Sequence, residues 1–467
     1  MVDLSTLTIG KHRYNSPWTQ VVIVGFVAFS SVGMFSAVSN LGAGGLQDVQ
    51  LSDIANSVLY GCFFLGGFFS GSVNNILGPR LTMSIGTTGY AVYLGALWNF
   101  QVNQTRWFLI LAGAILGFSA SLFWSAQGAV MMSYPTEKDK GRSFSVFWAL
   151  FQLGTLIGSA IALGIQFHST LPTVSTKVYI AFLIIMLTAI ATSWLVLPPH
   201  LVVRGDGTLV EVEASLTPKE EFREFVEMFK DWRMLALFPM FFCSNYFYAY
   251  QSAIVAFLFN GRTRALVALL TGLGSILGSI LIGVVTDILP FNRRKRAYVG
   301  CIVVFIIMCA VWGGGIAFQL KFNRGSKEIF GEPLHWDWTV GAAVGPILLM
   351  FAYYLVDASF QGLAYYTMSS MTNNAFKLAR MAAYYKGIQS AGAAVSFGMD
   401  AAKVSFPNRL NSAEYMLTYL GKTPYLTELL VSWLMVIVSL PLCALVLHSV
   451  RDTNYDVEEV VRVDDTK

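Results

Sequence analysis

The chain has 467 residues, 55% hydrophobic and only 12% charged, with a formal net charge of +4 and a mean hydropathy of +0.58. A soluble protein of this length cannot hide that much apolar surface, whereas a bilayer accepts it on every helix. The composition excludes an ordinary soluble enzyme or nucleic-acid-binding protein and points to a polytopic membrane chain.

Residues 1–17 are polar and read as a cytoplasmic tail with no cleavable leader, because the first apolar run is long enough to span. Apolar runs of about 18 to 25 residues, the length that crosses a hydrocarbon core, are predicted at 18–41, 53–74, 81–99, 107–131, 143–166 and 178–197, then at 235–259, 265–289, 297–318, 340–368, 381–402 and 427–448. The expected fold is all-α: twelve transmembrane helices in two six-helix bundles, 18–197 and 235–448. Between the bundles, residues 198–234 form the only sizeable polar segment. Within it Thr217-Pro218-Lys219-Glu220 has an N-cap residue, Pro at the first helical position and Glu three residues after the cap. Phe222, Phe225, Val226, Phe229 and Trp232 then recur at helical spacing. They predict an amphipathic helix, either on the inner membrane surface or packed against the bundle ends. The acidic stretch 449–467 has no apolar pattern and is expected to be a disordered cytoplasmic tail.

Most of the 31 Lys and Arg residues fall on one side of this topology if both termini are cytoplasmic. The lone sequon, Asn103-Gln104-Thr105, then lies on the outer face, which makes Asn103 a candidate glycosylation site. Cys62, Cys243, Cys301, Cys309 and Cys443 all lie in apolar segments and read as small core residues.

The two halves share a plan. Phe123-Trp124-Ser125-Ala126-Gln127-Gly128 ends one apolar helix and Ser359-Phe360-Gln361-Gly362 another. Each is followed by a polar loop ending in Arg142 or Arg380 and then by a helix with Gly154 or Gly392. The glutamines are 234 residues apart and the arginines 238, and Gly71 to Leu77 matches Gly283 to Leu289 at 212. Repeats in the same order in each half predict two similar bundles with a pathway between them.

The six-plus-six count, the central linker and Gly-x-x-x-Asp/Asn before a basic loop in each half resemble the major facilitator superfamily. The run Gly33-Met34-Phe35-Ser36-Ala37-Val38-Ser39-Asn40-Leu41-Gly42-Ala43-Gly44-Gly45, the Gln127-Gly128 helix, Gly141 to Trp148 and Tyr385 to Gly392 resemble its Unc-93-like branch in the fungal form. That branch includes transporter-like proteins, a potassium-channel accessory protein and a trafficking chaperone, so the resemblance implies a fold more than an activity. The N-terminal loop motif departs from the superfamily pattern: Asn75 stands where an acidic residue is usual, and Pro79-Arg80 replaces a longer basic run. The C-terminal copy keeps Asp287 with Arg293, Arg294, Lys295 and Arg296. Gating contacts are expected from Asn75, Arg80, Arg142, Asp287, Arg293, Arg294, Arg296 and Arg380, with Asp287 accepting from helix N-termini or pairing with a base such as Arg380.

The five histidines have no metal-ligand spacing, and there is no phosphate-cradling loop for ATP. No cofactor, metal or catalytic group is expected. Asp357 lies well inside the tenth predicted helix, where a carboxylate must face a cavity or a partner. Two readings stand: a proton- or substrate-binding group, or a structural pair with Lys386. Trp124, Gln127, Trp148 and Gln152, the seventh-helix residues Asn245, Tyr246, Tyr248, Tyr250 and Gln251, and Gln361 and Gln389 complete the candidate cavity lining. Aromatic faces with a few amides suit a moderately polar or amphipathic organic ligand, and interhelical hydrogen bonding is the other reading of each amide. Gly25, Gly33, Gly154, Gly158, Gly274 and Gly278 read as close-packing positions. The functional expectation is a secondary transporter of a small organic solute by alternating access; the alternative is a non-transporting accessory or chaperone that binds another membrane protein.

Overall fold

The computed structural model describes residues 8–9, 12–40, 49–166, 176–210, 218–404 and 425–454. The Leu41 to Gly45 end of the glycine-rich motif, the Thr217 cap and the tail beyond Asn454 lie outside them. The described chain is predominantly helical: α1 (Pro17–Ala28), α2 (Met34–Ser39), α3 (Val49–Asn103), α4 (Arg106–Ser133), α5 (Lys140–Gln166), α6 (Thr176–Ser193), α7 (Pro218–Met228), α8 (Trp232–Cys243), α9 (Tyr248–Leu258), α10 (Gly261–Asp287), α11 (Arg293–Gln319), α12 (Gly341–Met371), α13 (Ala375–Val404) and α14 (Tyr425–Leu447). Among the described residues, nine helical stretches are long and apolar enough to cross a membrane, so the chain is an integral, multi-pass membrane protein.

The helices depart from the predicted segments in three places. The second and third segments run together as α3, broken only at Gly78 (φ 76°, ψ 162°) before Pro79. The positive φ suits glycine, and proline cannot continue the preceding helix. The first segment contains a π turn, Phe29–Gly33, between α1 and α2. The seventh segment is split into α8 and α9. Pro239 lies inside α8, removing a backbone donor one turn before its end, and Ser244 turns its hydroxyl back onto the Met240 carbonyl at 2.8 Å.

Two seams of small residues hold the halves together. Along α3 and α13, a Cβ on Gly67 would stand 2.6 Å from the Gly387 Cα. Along α5 and α10, the Ser145 hydroxyl donates to the Ser279 carbonyl at 2.6 Å. Small residues let backbones approach where lipid removes any hydrophobic drive between helices. Gly33 and Gly154 play the same part between the first segment and α5, with a Gly33 Cβ falling 2.9 Å from the Gly154 Cα.

Candidate functional site

A cavity of about 660 Å³ lies between the halves. It runs from Lys386 and Gln361 deep among the helices to Arg324 and the exposed His335 in the α11–α12 connection. The polar groups of its deep end come from three stretches of the second half, set against Trp124 of α4 and Trp148 of α5. The break between α8 and α9 brings in Asn245 and Tyr248, α12 supplies Asp357 and Gln361, and α13 supplies Lys386 and Gln389. Asp357 and Gln361 are one helical turn apart, as are Lys386 and Gln389, so each pair shares a face.

The side chains form one chain of hydrogen bonds. Tyr248 donates to Asp357 Oδ2 at 2.6 Å, and Gln361 Nε2 donates to Asp357 Oδ1 at 3.0 Å. Gln361 Oε1 accepts from Lys386 Nζ at 3.2 Å and from Gln389 Nε2 at 3.0 Å, while Gln389 Oε1 accepts from Lys386 at 2.8 Å. Asp357 and Lys386 therefore belong to one network without a direct ion pair, because the Gln361 amide sits between them. The Lys386 ammonium is caged by aromatic rings, 4.4 Å from the Trp124 centroid and 4.9 Å from that of Tyr385, a geometry that stabilises a desolvated cation.

Of the sequence candidates, Trp124, Trp148, Gln152, Asn245, Gln361, Lys386 and Gln389 line the cavity, with Tyr248. Asp357 stands just behind Tyr248 and Gln361. Gln127, Tyr246, Tyr250 and Gln251 do not line it. Gln127 accepts from Tyr365 at 3.2 Å, Tyr250 donates to Gln319 at 2.9 Å, Tyr246 reaches the Met399 sulfur at 3.7 Å, and Gln251 is buried. For Tyr250 the reason is helical phase: it lies two residues, about 200°, round α9 from Tyr248, so the two cannot both face inward. The sequence reading missed Asp53 and Asp400, both buried cavity-lining carboxylates. Both lie at the ends of predicted spans, where a carboxylate reads as an ordinary helix-end charge, so the criterion that singled out Asp357 passes them by. Asp400 pairs at 2.8 Å with Arg324, whose guanidinium also covers the Tyr425 ring at 4.0 Å.

Beyond Lys386, Phe144, Tyr365 and Tyr385 fill the path, with Tyr365 centred 5.3 Å from each of the other two rings. A polar latch closes the end past this plug. Glu137 pairs with Arg293 at 3.1 Å and accepts from Asn373 at 2.7 Å and the Asn454 N–H at 2.9 Å. Lys140 donates to the Ser369 carbonyl at 2.6 Å and to Asn373 at 2.8 Å. Asp287 accepts the Arg142 N–H, in the first turn of α5, at 2.6 Å, where helix N-termini favour negative charge. Arg380 does not pair with Asp287: it meets Glu221 of α7 at 2.9 Å, and Asn75 donates to the same carboxylate at 3.0 Å. Arg80, Arg294 and Arg296 stay within their own halves, on the carbonyls of Val196, Val450 and Asp287. Glu137, Lys140 and Glu221 are latch members that the sequence reading passed over, since each sits in a polar stretch among many charges. Asn103 is exposed at the α3–α4 turn, bonded to Asn99 at 2.7 Å.

A family described as "Ion channel regulatory protein UNC-93" matches residues 54–313. An UNC93-like protein of Schizosaccharomyces pombe is 40% identical, covering 86% of this chain and 80% of the relative. UNC93-like protein 1 of Arabidopsis thaliana is 34% identical, covering 96% and 93%. Among solved structures, the major facilitator transporter FucP in the outward conformation aligns with a TM-score of 0.60 at 11% identity, over 93% of this chain and 99% of that one. The proton:xylose symporter XylE aligns at 0.58 and 14% identity, over 91% and 94%. At those identities the likeness concerns the fold, which is of major facilitator type.

Proposed function

Since this chain belongs to the UNC-93 family and has the major facilitator fold, we propose that it is a secondary transporter of a small organic solute, working by alternating access. One observation supports this above the rest: a cavity lined by both halves is open at one end and closed at the other by contacts that both halves supply. Breaking those contacts while closing the open end needs only a rocking of one half against the other. In this reading the described conformation is outward-facing and both termini are cytoplasmic. Support comes from Lys140, Arg142, Arg293, Arg296 and Arg380, which gather at the latch end as basic residues do on cytoplasmic faces. Asp357 is the coupling carboxylate: it is buried beside the cavity and wired through Gln361 to the group nearest the solute.

The test is solute accumulation by purified protein in proteoliposomes, with and without an imposed pH gradient. Gradient-dependent accumulation lost on Asp357→Asn is the expected result; none for any small organic solute would sink the proposal. The family description favours a second reading, a non-transporting accessory of another membrane protein. It predicts co-purification of that protein and retained function after Asp357→Asn.

A further inference from the structure

We propose that the deep end of the cavity binds the carboxylate of a flat organic acid, with Lys386 and the Trp148 indole as its donors. The inference rests on reading the cavity as a solute site and narrows the solute's chemistry. An ammonium has three N–H donors. Lys386 uses two, on the amide oxygens of Gln361 and Gln389, both neutral groups. Asp357 does not neutralise it directly, because that carboxylate is engaged by Tyr248 and the Gln361 Nε2. Among the described residues, the rest of the ammonium meets aromatic faces. Trp124 and Trp148 then differ in a telling way. The Trp124 N–H donates to Tyr90 at 3.1 Å, whereas the Trp148 N–H, in a side chain only 3% exposed, has no acceptor among the described residues.

Lys386 Nζ lies 5.8 Å from the Trp148 ring centre and both side chains line the cavity, which puts a cationic donor and an unfilled indole N–H in the same part of it. Carboxylate supplies one oxygen to each, and its bonds to an ammonium are charge-assisted. An ammonium ligand would meet donors and a like charge. A neutral hydroxyl could fill one donor but would leave the charge uncompensated. Flatness follows from the walls: Trp124 and Trp148 on one side, and the parallel rings of Tyr248 and Tyr354, 6.0 Å apart, on another. Asn245, also lining the cavity, keeps an unpartnered carbonyl oxygen among the described residues, which suits a hydroxyl or N–H on the ligand's body.

The experiment uses the purified full chain in detergent and three probes sharing one ring: benzoate, benzyl alcohol and benzylamine. Thermal unfolding and tryptophan fluorescence are read at matched concentrations. Benzoate should raise the Tm and perturb the fluorescence, and the other two should do neither. Trp148→Phe keeps the ring and removes the donor, and Lys386→Met removes the charge; each should weaken benzoate roughly tenfold or more. If Lys386→Met does not fold, Trp148→Phe alone decides. Equal effects of benzylamine or benzyl alcohol, unchanged benzoate affinity in Trp148→Phe, or no effect of benzoate would each overturn the inference. Benzoate binding without uptake in proteoliposomes would uphold it while sinking the transport reading. Uptake of uncharged solutes by protein that ignores benzoate would do the reverse.

Discussion

Gln361 keeps Asp357 and Lys386 apart, giving its N–H to one and its carbonyl to the other. Their relation is thus a relay, and a change of charge at either end is felt at the other through one amide. If Asp357 is the coupling group, Asp357→Asn should abolish gradient-driven accumulation while sparing exchange of solute already on both sides, since exchange need not release the proton. A double Asp357→Asn, Lys386→Met protein with full accumulation in proteoliposomes would rule that role out. At the latch, burial pushes the Glu137 carboxyl up, but Arg293, the Asn454 N–H and the Asn373 amide outweigh it and hold the group below its ordinary value. A depressed carboxyl contributes stability that is present above the ordinary glutamate range and is lost as pH falls through the depressed value. Glu137→Gln should therefore lower the melting temperature at neutral pH and flatten the acid limb of a stability-against-pH profile. An unchanged acid limb would remove Glu137 from the account.

Helix α7 shows how periodicity names an element without naming its inward face. Phe222, Phe225, Val226 and Phe229 recur at helical spacing, yet the buried face runs through Glu221, Phe225 and Met228, leaving Phe222 and Val226 exposed. The helix is turned so that Glu221, fully buried, can reach Arg380 and Asn75, and Phe225 packs on Phe68 at 6.1 Å. One face thus packs on the bundle ends, as one of the two sequence readings expects, and the other, continued by the exposed Trp232, is left uncovered among the described residues. Phe225→Ala should cost about 3–5 kcal/mol in thermal unfolding, and Phe222→Ala far less. Glu221→Gln removes the buried partner of Arg380 and leaves it only Glu224 at 3.9 Å, a loss of up to about 3–5 kcal/mol. Equal melting temperatures for Phe222→Ala and Phe225→Ala would show that the inward face is wrongly placed.

At the scale of the molecule, alternating access makes the latched, open-cavity form one of two states, and if that proposal holds their balance should respond to the contacts between halves. Asp287→Ala removes the acceptor of the Arg142 N–H. Labelling of Asn56→Cys, a cavity-lining position, by a membrane-impermeant maleimide should fall as the population leaves the open form. Unchanged labelling would deny Asp287 a gating role. Gly67→Val should act on the α3–α13 seam, where any Cβ meets the Gly387 backbone. Lower thermal stability with an intact Asp357 network is the expected signature, because the clash is backbone against side chain and cannot relax by a rotamer change.

Much of this was legible in the chain because lipid imposes a one-dimensional rule: every spanning stretch must be apolar and long, and its backbone must satisfy itself as helix. The apolar segments, the polar linker, the close-packing glycines and the buried carboxylate Asp357, deep in its helix, all follow from that rule. Residue phase and partnership do not. Whether Tyr248 or Tyr250 looks into the cavity depends on the phase of α9, which no hydropathy pattern records. Whether Arg380 meets Asp287 or Glu221 depends on where a polar helix docks. That Asp357 and Lys386 are separated by one amide is a matter of distance across three helices, which only their packing decides.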